Sequence, residues 1–256
     1  MAIVGINDSL SRFAPITLAE MDAVKLMNRI DTKYVTSRER LPSFLDDAAG
    51  RGYRVLEIDG HRLCRYDSLY YDTDDLKMYN DHHNRRIPRR KVRVRTYLES
   101  GVSYLEVKRK NNHGRTKKKR RECDPAAPFS GDNAGFVLEK SGFDPAGLTP
   151  ACSTSFCRIT LVGPSMSERL TIDLDLHFSN RRSGRSGGLG EAVIIELKQD
   201  SHLASLTKDL LREHHIRPLR VSKYAVGTAL TGDVKKGRFL PKIRRIEKII
   251  STRLFN

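Results

Sequence analysis

The stretch from Arg89 to Lys119 limits the possible folds more than any other, because two alternating basic runs, RRKVRVRTY and YLEVKRK, are followed there by TKKKRR. Side chains alternate across a β-strand, so Arg93 and Arg95 share one face and Val92 and Val94 the other. The second run alternates in the same way. These runs predict adjacent strands of one sheet that has a charged face and an apolar face.

Three later runs repeat this alternation: SFCRITLV, RLTIDLDLHF and AVIIELK. Their predicted charged faces carry Arg158 in the first run, Thr171, Asp173, Asp175 and His177 in the second, and Glu196 and Lys198 in the third. Amphipathic helices are predicted on every side, and they need apolar sheet surface to cover. We therefore expect the helices outside and the charged rows inside, lining a lumen.

The predicted fold class is α+β, an eight-stranded antiparallel β-barrel with surrounding helices. The strands counted are YRVLEID, SLYYDT, KVRVRTY, YLEVKRK, TKKKRRE, SFCRITLV, RLTIDLDL and AVIIELK, with RIDTKYV as a further short strand. Helices are predicted near residues 16–27, 37–48, 133–140, 202–215, 223–231 and 239–252, after a loose lead-in over 1–16. We expect one domain over 1–256 with its core at about 27–230. The basic C-terminal helix, about 239–252, is expected to dock on the barrel in preference to a membrane.

A formal net charge of +16 and a pI near 9.9 predict an anionic partner. The four cysteines show no CxxC spacing, which argues against zinc, and without a recognisable signal region they indicate reduced thiols in the cytoplasm. No apolar run approaches the roughly 18 residues of a membrane span. A peripheral membrane contact or a membrane-protein partner stays open.

Unpaired buried cations are very costly, so the predicted lumen needs an anion. Its expected basic residues are Arg93, Arg95, Lys108, Arg158 and Lys198. Four carboxylates would neutralise part of this charge or hold Mg²⁺ or Mn²⁺, which prefer oxygen ligands: Glu106, Asp173, Asp175 and Glu196. For Asp173 and Asp175 both roles stay open, metal ligand or partner of the arginines. Polyphosphate or a nucleoside triphosphate satisfies these demands together.

Eight motifs occur in one order: RIDTKYV, LYYDTDDLKMYNDHHN, KVRVRTY, YLEVKRK, TKKKRR, TIDLDL, IIELK and RPLRVSKYAVG. In this order the chain resembles the VTC domain from about Met27 to Leu230. That family is the polyphosphate polymerase branch of the triphosphate tunnel metalloenzymes, the CYTH superfamily.

The resemblance implies a metal-dependent enzyme that transfers the γ-phosphate of ATP to a growing polyphosphate chain and releases ADP. It assigns phosphate-binding basic residues to Lys33, Arg93, Arg95, Lys108, Arg158 and Lys223. It assigns a phosphate-contacting serine to Ser222 and the metal-binding glutamate to Glu196. The run SFCR departs from the expected Tyr-x-Arg pattern around Arg158.

A triphosphate or polyphosphate hydrolase, or a polyphosphate-binding protein, would use the same lumen. A nucleic-acid-binding module is disfavoured because no RNP-like or helix-turn-helix pattern is present. Arg93, Arg95 and Lys108 are expected to be indispensable. The flanking Arg89, Arg90 and residues 117–121 are expected at the rim or on plain surface, with a modulatory role.

Overall fold

The computed structural model describes residues 2–22, 29–112, 116–200 and 204–255. Its α-helices are α1 (Ala2–Ser11), α2 (Leu18–Asp22), α3 (Leu41–Gly50), α4 (Lys77–His83), α5 (Asp132–Ser141), α6 (Leu206–Glu213), α7 (Lys223–Thr231) and α8 (Leu240–Ile250). Its strands are β1 (Ala14–Ile16), β2 (Arg29–Ser37), β3 (Arg54–Leu56), β4 (Cys64–Asp72), β5 (Arg89–Tyr97), β6 (Ser103–Lys110), β7 (Thr116–Glu122), β8 (Thr149–Val162), β9 (Glu168–Asn180), β10 (Ser186–Gly188) and β11 (Ala192–Asp200).

The main element of the fold is one curled sheet. Its strands are in the order β2-β11-β9-β8-β4-β5-β6-β7, and neighbouring strands are antiparallel. The predicted α+β class and eight-stranded antiparallel architecture are confirmed. The sheet forms a half-barrel, because β7 is an edge strand. All residues of β7 are exposed, and a lysine-rich edge disfavours further pairing.

The predicted strand membership was wrong at one position. YRVLEID contributes only the short β3, which lies beside the main path and pairs with β1 and β8. RIDTKYV forms β2 and takes the end of the path next to β11. The count of eight therefore held with one strand exchanged.

The apolar rows face outward and are covered by helices. Ile172 and Leu174 of β9 join the apolar cluster that includes Phe44 of α3 and Leu210 of α6. On the other side, Val92, Val94, Leu105 and Val107 cluster with Val137 of α5. The predicted arrangement, with helices outside and charged rows inside, is confirmed for α3, α5 and α6.

Helix α7 covers the inner face of the sheet at one end. Its residues are buried nearly all round, as expected for a helix apolar on every side. Gly227 lets it approach β9, since a Cβ there would lie 2.6 Å from the Phe178 ring. Helix α8 packs into the same cluster through Ile243 and Ile246, which confirms the predicted docking of the C-terminal helix.

A bulge in β9 breaks the alternation assumed from the sequence. The register with β8 shifts opposite Phe156, where Asp175 adopts φ +55°. Before the bulge the odd-numbered Asp173 faces inward, and after it Phe178 does. Asp175 is consequently exposed on the outside, where it pairs with Arg38. Its predicted place in the lumen was wrong.

The N-terminal residues are more ordered than predicted, because α1 and β1 occupy most of the expected lead-in over 1–16. The expected helix over 16–27 appears as α2. Its N-terminus has a capping box, in which Thr17 N donates to Glu20 Oε2 at 2.9 Å and Glu20 N donates to Thr17 Oγ1 at 3.3 Å. The rest of the predicted range, 23–27, lies outside the described residues.

Candidate functional site

The inner face of the curled sheet encloses a cavity of about 850 Å³. Among the described residues, four acidic side chains line it, Asp31, Glu99, Glu106 and Glu196. Eleven basic side chains line it as well: Lys33, Lys91, Arg93, Arg95, Lys108, Lys118, Arg120, Arg158, Arg169, Lys198 and Lys223. This excess of positive charge creates a field that attracts anions.

Glu106 lies at the centre of the β5–β6–β7 wall and is 1% exposed. Arg93, its partner in the strand register, donates from Nε to Oε2 at 2.7 Å, and Lys118 donates from Nζ to Oε1 at 2.8 Å. Arg93 also donates from Nη1 to the Tyr70 hydroxyl at 2.8 Å. Burial alone would raise the pKa of Glu106, but Arg93, Arg95 and Lys118 outweigh it and hold that pKa well below its usual range.

Asp173 forms a second buried ion cluster on the opposite wall. Arg158 of β8 donates from Nε and Nη2 to its two oxygens at 2.6 and 2.9 Å, and Lys223 at the start of α7 donates to Oδ2. Burial opposes ionisation of this carboxyl. Arg158 and Lys223 more than offset the burial and keep the pKa of Asp173 well below its usual range.

Glu196 of β11 pairs with Lys33 of β2, which faces it in the register. Despite burial, Lys33 and Lys198 hold the pKa of Glu196 well below its usual value. Burial lowers the pKa of Lys198 to about 7, since Glu196 compensates only in part. Burial, partly offset by Glu196, also lowers the pKa of Lys108. The amines of Lys198 and Lys108 are therefore held in surroundings that favour their neutral form.

Ser222 connects the sheet to the N-terminus of α7. Its Oγ accepts hydrogen bonds from Lys91 Nζ at 2.7 Å and from Ala225 N at 3.3 Å, as a helix cap does. The pKa of Lys91 is well below the usual value, first because of burial and then because of neighbouring cations such as Lys108. A bound anion would offset both effects and raise the pKa of Lys91.

Arg95 is 7% exposed and donates from Nε to Ser68 Oγ at 3.1 Å. Its guanidinium carbon lies 5.5 Å from the Tyr66 ring centroid and 5.6 Å from that of Phe156. Aromatic faces attract a guanidinium, so these rings hold Arg95 without neutralising it.

The structure brings most of the sequence-predicted site residues together. Ten of them line the cavity: Lys33, Arg93, Arg95, Glu106, Lys108, Arg158, Glu196, Lys198, Ser222 and Lys223. Asp173 lies behind this wall in its ion cluster, and Asp175 lies outside.

Four basic lining residues were not among those predicted for the lumen: Lys91, Lys118, Arg120 and Arg169. Strand alternation would have found Lys91 and Arg169, because each is an even number of positions from a predicted inward-facing residue on its own strand. Lys118 and Arg120, predicted at the rim or on plain surface with the rest of 117–121, line the cavity from the exposed edge strand β7.

The acidic side chains of the site differ in how well they could bind a divalent metal ion. Among the described residues, no group of three or more His, Cys, Asp or Glu side chains is arranged to hold an ion. Glu106 and Asp173 each accept from two cationic side chains, which leaves them unsuited as ligands. Side chains in the described part of the chain therefore do not form a complete metal site by themselves. The site fits the mode in which Mg²⁺ takes one or two carboxylates plus substrate phosphates, with Glu196 as the carboxylate.

The fold and the site define a triphosphate tunnel protein. Two solved structures share the fold. One, from Bacillus halodurans, is named as a candidate adenylate cyclase, with a TM-score of 0.52, 15% identity, and coverage of 77% of this chain and 96% of that one. The other is an adenylyl cyclase candidate from Hippeastrum described as having a dominant triphosphatase activity, with a TM-score of 0.53, 16% identity, and coverage of 78% and 95%.

The model of the VTC domain matches residues 28–133 and 140–231. This protein therefore belongs to the VTC domain family, as the motif order indicated. No curated protein sequence gives a significant match. In the described part of the chain, no helix combines the length and the apolar character that crossing a membrane requires.

Proposed function

We propose that this chain is an ATP-dependent polyphosphate polymerase that works in the basic cavity. One observation supports this above the others: the cavity carries a large excess of cations, while the carboxylates of its two buried ion clusters are held by arginine and lysine. Such a site neutralises closely spaced phosphates without offering a strong base.

The chemistry suits this arrangement. A terminal oxygen of the acceptor chain attacks the γ-phosphorus of ATP, forming a new P–O bond, and the bond to the β-phosphate oxygen breaks with its electron pair leaving on ADP. The attacking oxygen is already anionic, so no proton has to be removed. Lys33, Arg93, Lys108 and Lys223 are proposed to align the phosphates and balance their charge. Ser222 and Lys198 are proposed to contact phosphate oxygens beside them.

Hydrolysis is the second candidate, because the structural neighbour from Hippeastrum is described as a triphosphatase. Water, unlike a phosphate chain, gains from a general base. No histidine is among the described lining residues, and Glu106 is a weak base with its lowered pKa. Lys198, with a pKa of about 7, is the nearest to a base, but bound phosphates would raise that pKa. These points favour the polymerase.

Glu196 is proposed to hold Mn²⁺ or Mg²⁺ together with the substrate phosphates. The ion would supply positive charge to the phosphate oxygens during transfer. The proposed partners are ATP and inorganic polyphosphate, with no nucleic acid. The four cysteines are free, which supports the predicted cytoplasmic location. The single-domain organisation stays a prediction, and a peripheral membrane contact or a membrane-protein partner stays open.

The test is to incubate the purified protein with ATP and Mn²⁺ and follow the products by ³¹P NMR. Long-chain polyphosphate together with ADP would support the polymerase. Orthophosphate as the main product would support the hydrolase and contradict the polymerase.

Lys108→Ala and Arg109→Ala form a matched pair, because these residues are neighbours on β6 but face opposite sides of the sheet. Losing one charged contact to the transferred phosphoryl group costs about 3 kcal/mol, roughly 100-fold in rate. We expect this loss for Lys108→Ala and less than 2-fold for Arg109→Ala. Arg93→Ala and Lys223→Ala should also abolish synthesis, with circular dichroism reporting whether the fold is retained.

A further inference from the structure

Four aromatic rings form a row across four adjacent strands on the inner face: Phe156 of β8, Tyr66 of β4, Tyr97 of β5 and Tyr104 of β6. Tyr66 faces both Phe156 and Tyr97 in the strand register. Successive ring centroids lie 5.3, 5.0 and 5.8 Å apart. The row therefore runs without a break from the buried Phe156 and Tyr66 to the partly buried Tyr97 and Tyr104, which form the mouth of the cavity.

The two inner rings already have partners on their faces. Phe156 and Tyr66 are parallel to within 5°, and Arg158 lies 5.0 Å from the centroid of Tyr66. Lys223 Nζ lies 4.5 Å from the centroid of Phe156. Burial raises the pKa of Tyr66 to about 12, so this ring stays neutral and adds no negative charge to the site. These rings support the phosphate-binding cations.

The two outer rings face the cavity and are only partly buried. Ile58, Val102 and the exposed Leu18 add apolar surface to the same cavity. On the far side of Tyr104, the Arg120 guanidinium lies 4.5 Å from the ring centroid. This mouth offers flat apolar surface with a planar cation beside it.

The acid at this mouth is Glu99, which is held by the backbone N–H and the guanidinium of Arg65. A carboxylate disfavours phosphate at this end. Lys91 of β5 and Lys108 of β6 face each other further along the same two strands, with Arg95 and Arg93 between them and the tyrosines. The two tyrosines therefore lie at one end of this wall and the two lysines at the other.

We propose that Tyr97 and Tyr104, whose rings are at 86° to each other, bind the nucleobase of the ATP donor, one by stacking on its face and the other by contact with its edge, with the triphosphate extending inward along β5. This inference rests on the proposed function. Tyr97, Arg95 and Arg93 are alternate residues on one face of that strand. Inward-facing side chains recur about every 7 Å, which places the two guanidinium groups one and two steps in from the base. The acceptor chain then occupies the end lined by Lys91.

Stacking on aromatic rings adds about 1–3 kcal/mol per base and tolerates any base, which corresponds to roughly 5- to 100-fold in affinity. Inorganic tripolyphosphate has the same phosphates and no base. The ratio of the ATP and tripolyphosphate dissociation constants therefore isolates the contribution of the aromatic mouth from that of the cations.

The experiment is isothermal titration calorimetry of the full chain with ATP, GTP and tripolyphosphate, each without metal so that no turnover occurs. Tyr104→Leu and Tyr97→Leu should weaken ATP and GTP binding roughly 5- to 100-fold and change tripolyphosphate binding less than 2-fold. Leu98→Ala, an exposed residue next to Tyr97, serves as the control and should change none of the three. Retained tripolyphosphate binding shows that each variant is folded.

Equal weakening of all ligands, or unchanged ATP binding in both tyrosine variants, would overturn the proposal. So would equal affinity of the wild-type protein for ATP and tripolyphosphate. A third result would refute only the polymerase: the wild-type protein makes no polyphosphate but binds ATP more tightly than tripolyphosphate, and the tyrosine variants lose that preference. This result would still support the nucleobase site. The two proposals therefore fail by different results.

Discussion

Removing the carboxylate of Asp173 tests most directly whether Arg158 and Lys223 face the phosphate site. Asp173→Asn leaves Arg158 and Lys223, whose side chains are each 12% exposed, without their shared counterion. Breaking a buried ion pair from one side costs about 3–5 kcal/mol, because a buried charge loses its partner. In a chain of this size each kcal/mol lowers Tm by about 2–4 °C. We expect Tm to fall by roughly 6 to 20 °C.

Tripolyphosphate should rescue this variant, because its oxygens replace the missing carboxylate beside the two cations. Differential scanning fluorimetry with and without saturating tripolyphosphate measures this effect. The Tm difference between wild type and variant should shrink when the anion is bound. A gap that stays the same or widens would refute the claim that these cations face the phosphate site.

Asp175→Asn is the matched control, two residues further along the same strand. Its carboxylate pairs with Arg38 outside the cavity, and its side chain is 42% exposed. Exposed ion pairs contribute about 0–1 kcal/mol, so this variant should lose little stability and show the wild-type response to tripolyphosphate.

The pH dependence of stability adds a second readout. The folded-state pKa of Asp173 is below that of the unfolded chain, so its stabilisation is present above the unfolded pKa of about 3.9. It is lost as the pH falls from there towards the folded-state pKa. Urea unfolding should show a shallower loss of stability in this acid range for Asp173→Asn than for the wild type.

Three further outcomes are expected. At pH 8, binding of tripolyphosphate should take up roughly one to two protons, since it raises the pKa values of Lys198 and Lys223 from about 7 and about 8. Calorimetry in buffers of different ionisation enthalpy measures this, and no uptake would contradict it. Lys118→Ala should lower polyphosphate synthesis by about 10-fold or more and Lys119→Ala by less than 2-fold, because only Lys118 faces the cavity and bonds the buried carboxylate. Glu196→Gln should weaken Mn²⁺ binding in the presence of tripolyphosphate, measured by electron paramagnetic resonance, and unchanged Mn²⁺ affinity would exclude Glu196 as a ligand.

Alternation along single strands was enough to predict much of the site. Arg93, Arg95 and Lys108 line the cavity because the two-residue period of a strand fixes the face of each side chain. The same period carries Lys91, which was overlooked among the flanking basic residues. The inside-out arrangement followed because amphipathic helices need an apolar surface to cover.

The bulge at Asp175 could not be predicted in this way. One extra residue in β9 reverses the faces beyond it, and the residue letters of RLTIDLDLHF read as an unbroken alternation. The exchange of YRVLEID for RIDTKYV has a related cause, since strand neighbours are chosen by pairing across the sheet and not by local pattern.

By itself, the sequence determined which side chains face the lumen on β5 and β6, the order of motifs that marks the VTC domain family, and the charge that requires an anionic ligand. Only the tertiary structure decided which charges meet. Lys223 reaches Asp173 across 50 positions of sequence because α7 packs into the end of the half-barrel, and four aromatic rings align because their strands are neighbours. Contacts between distant segments depend on register and packing, which a single sequence does not specify.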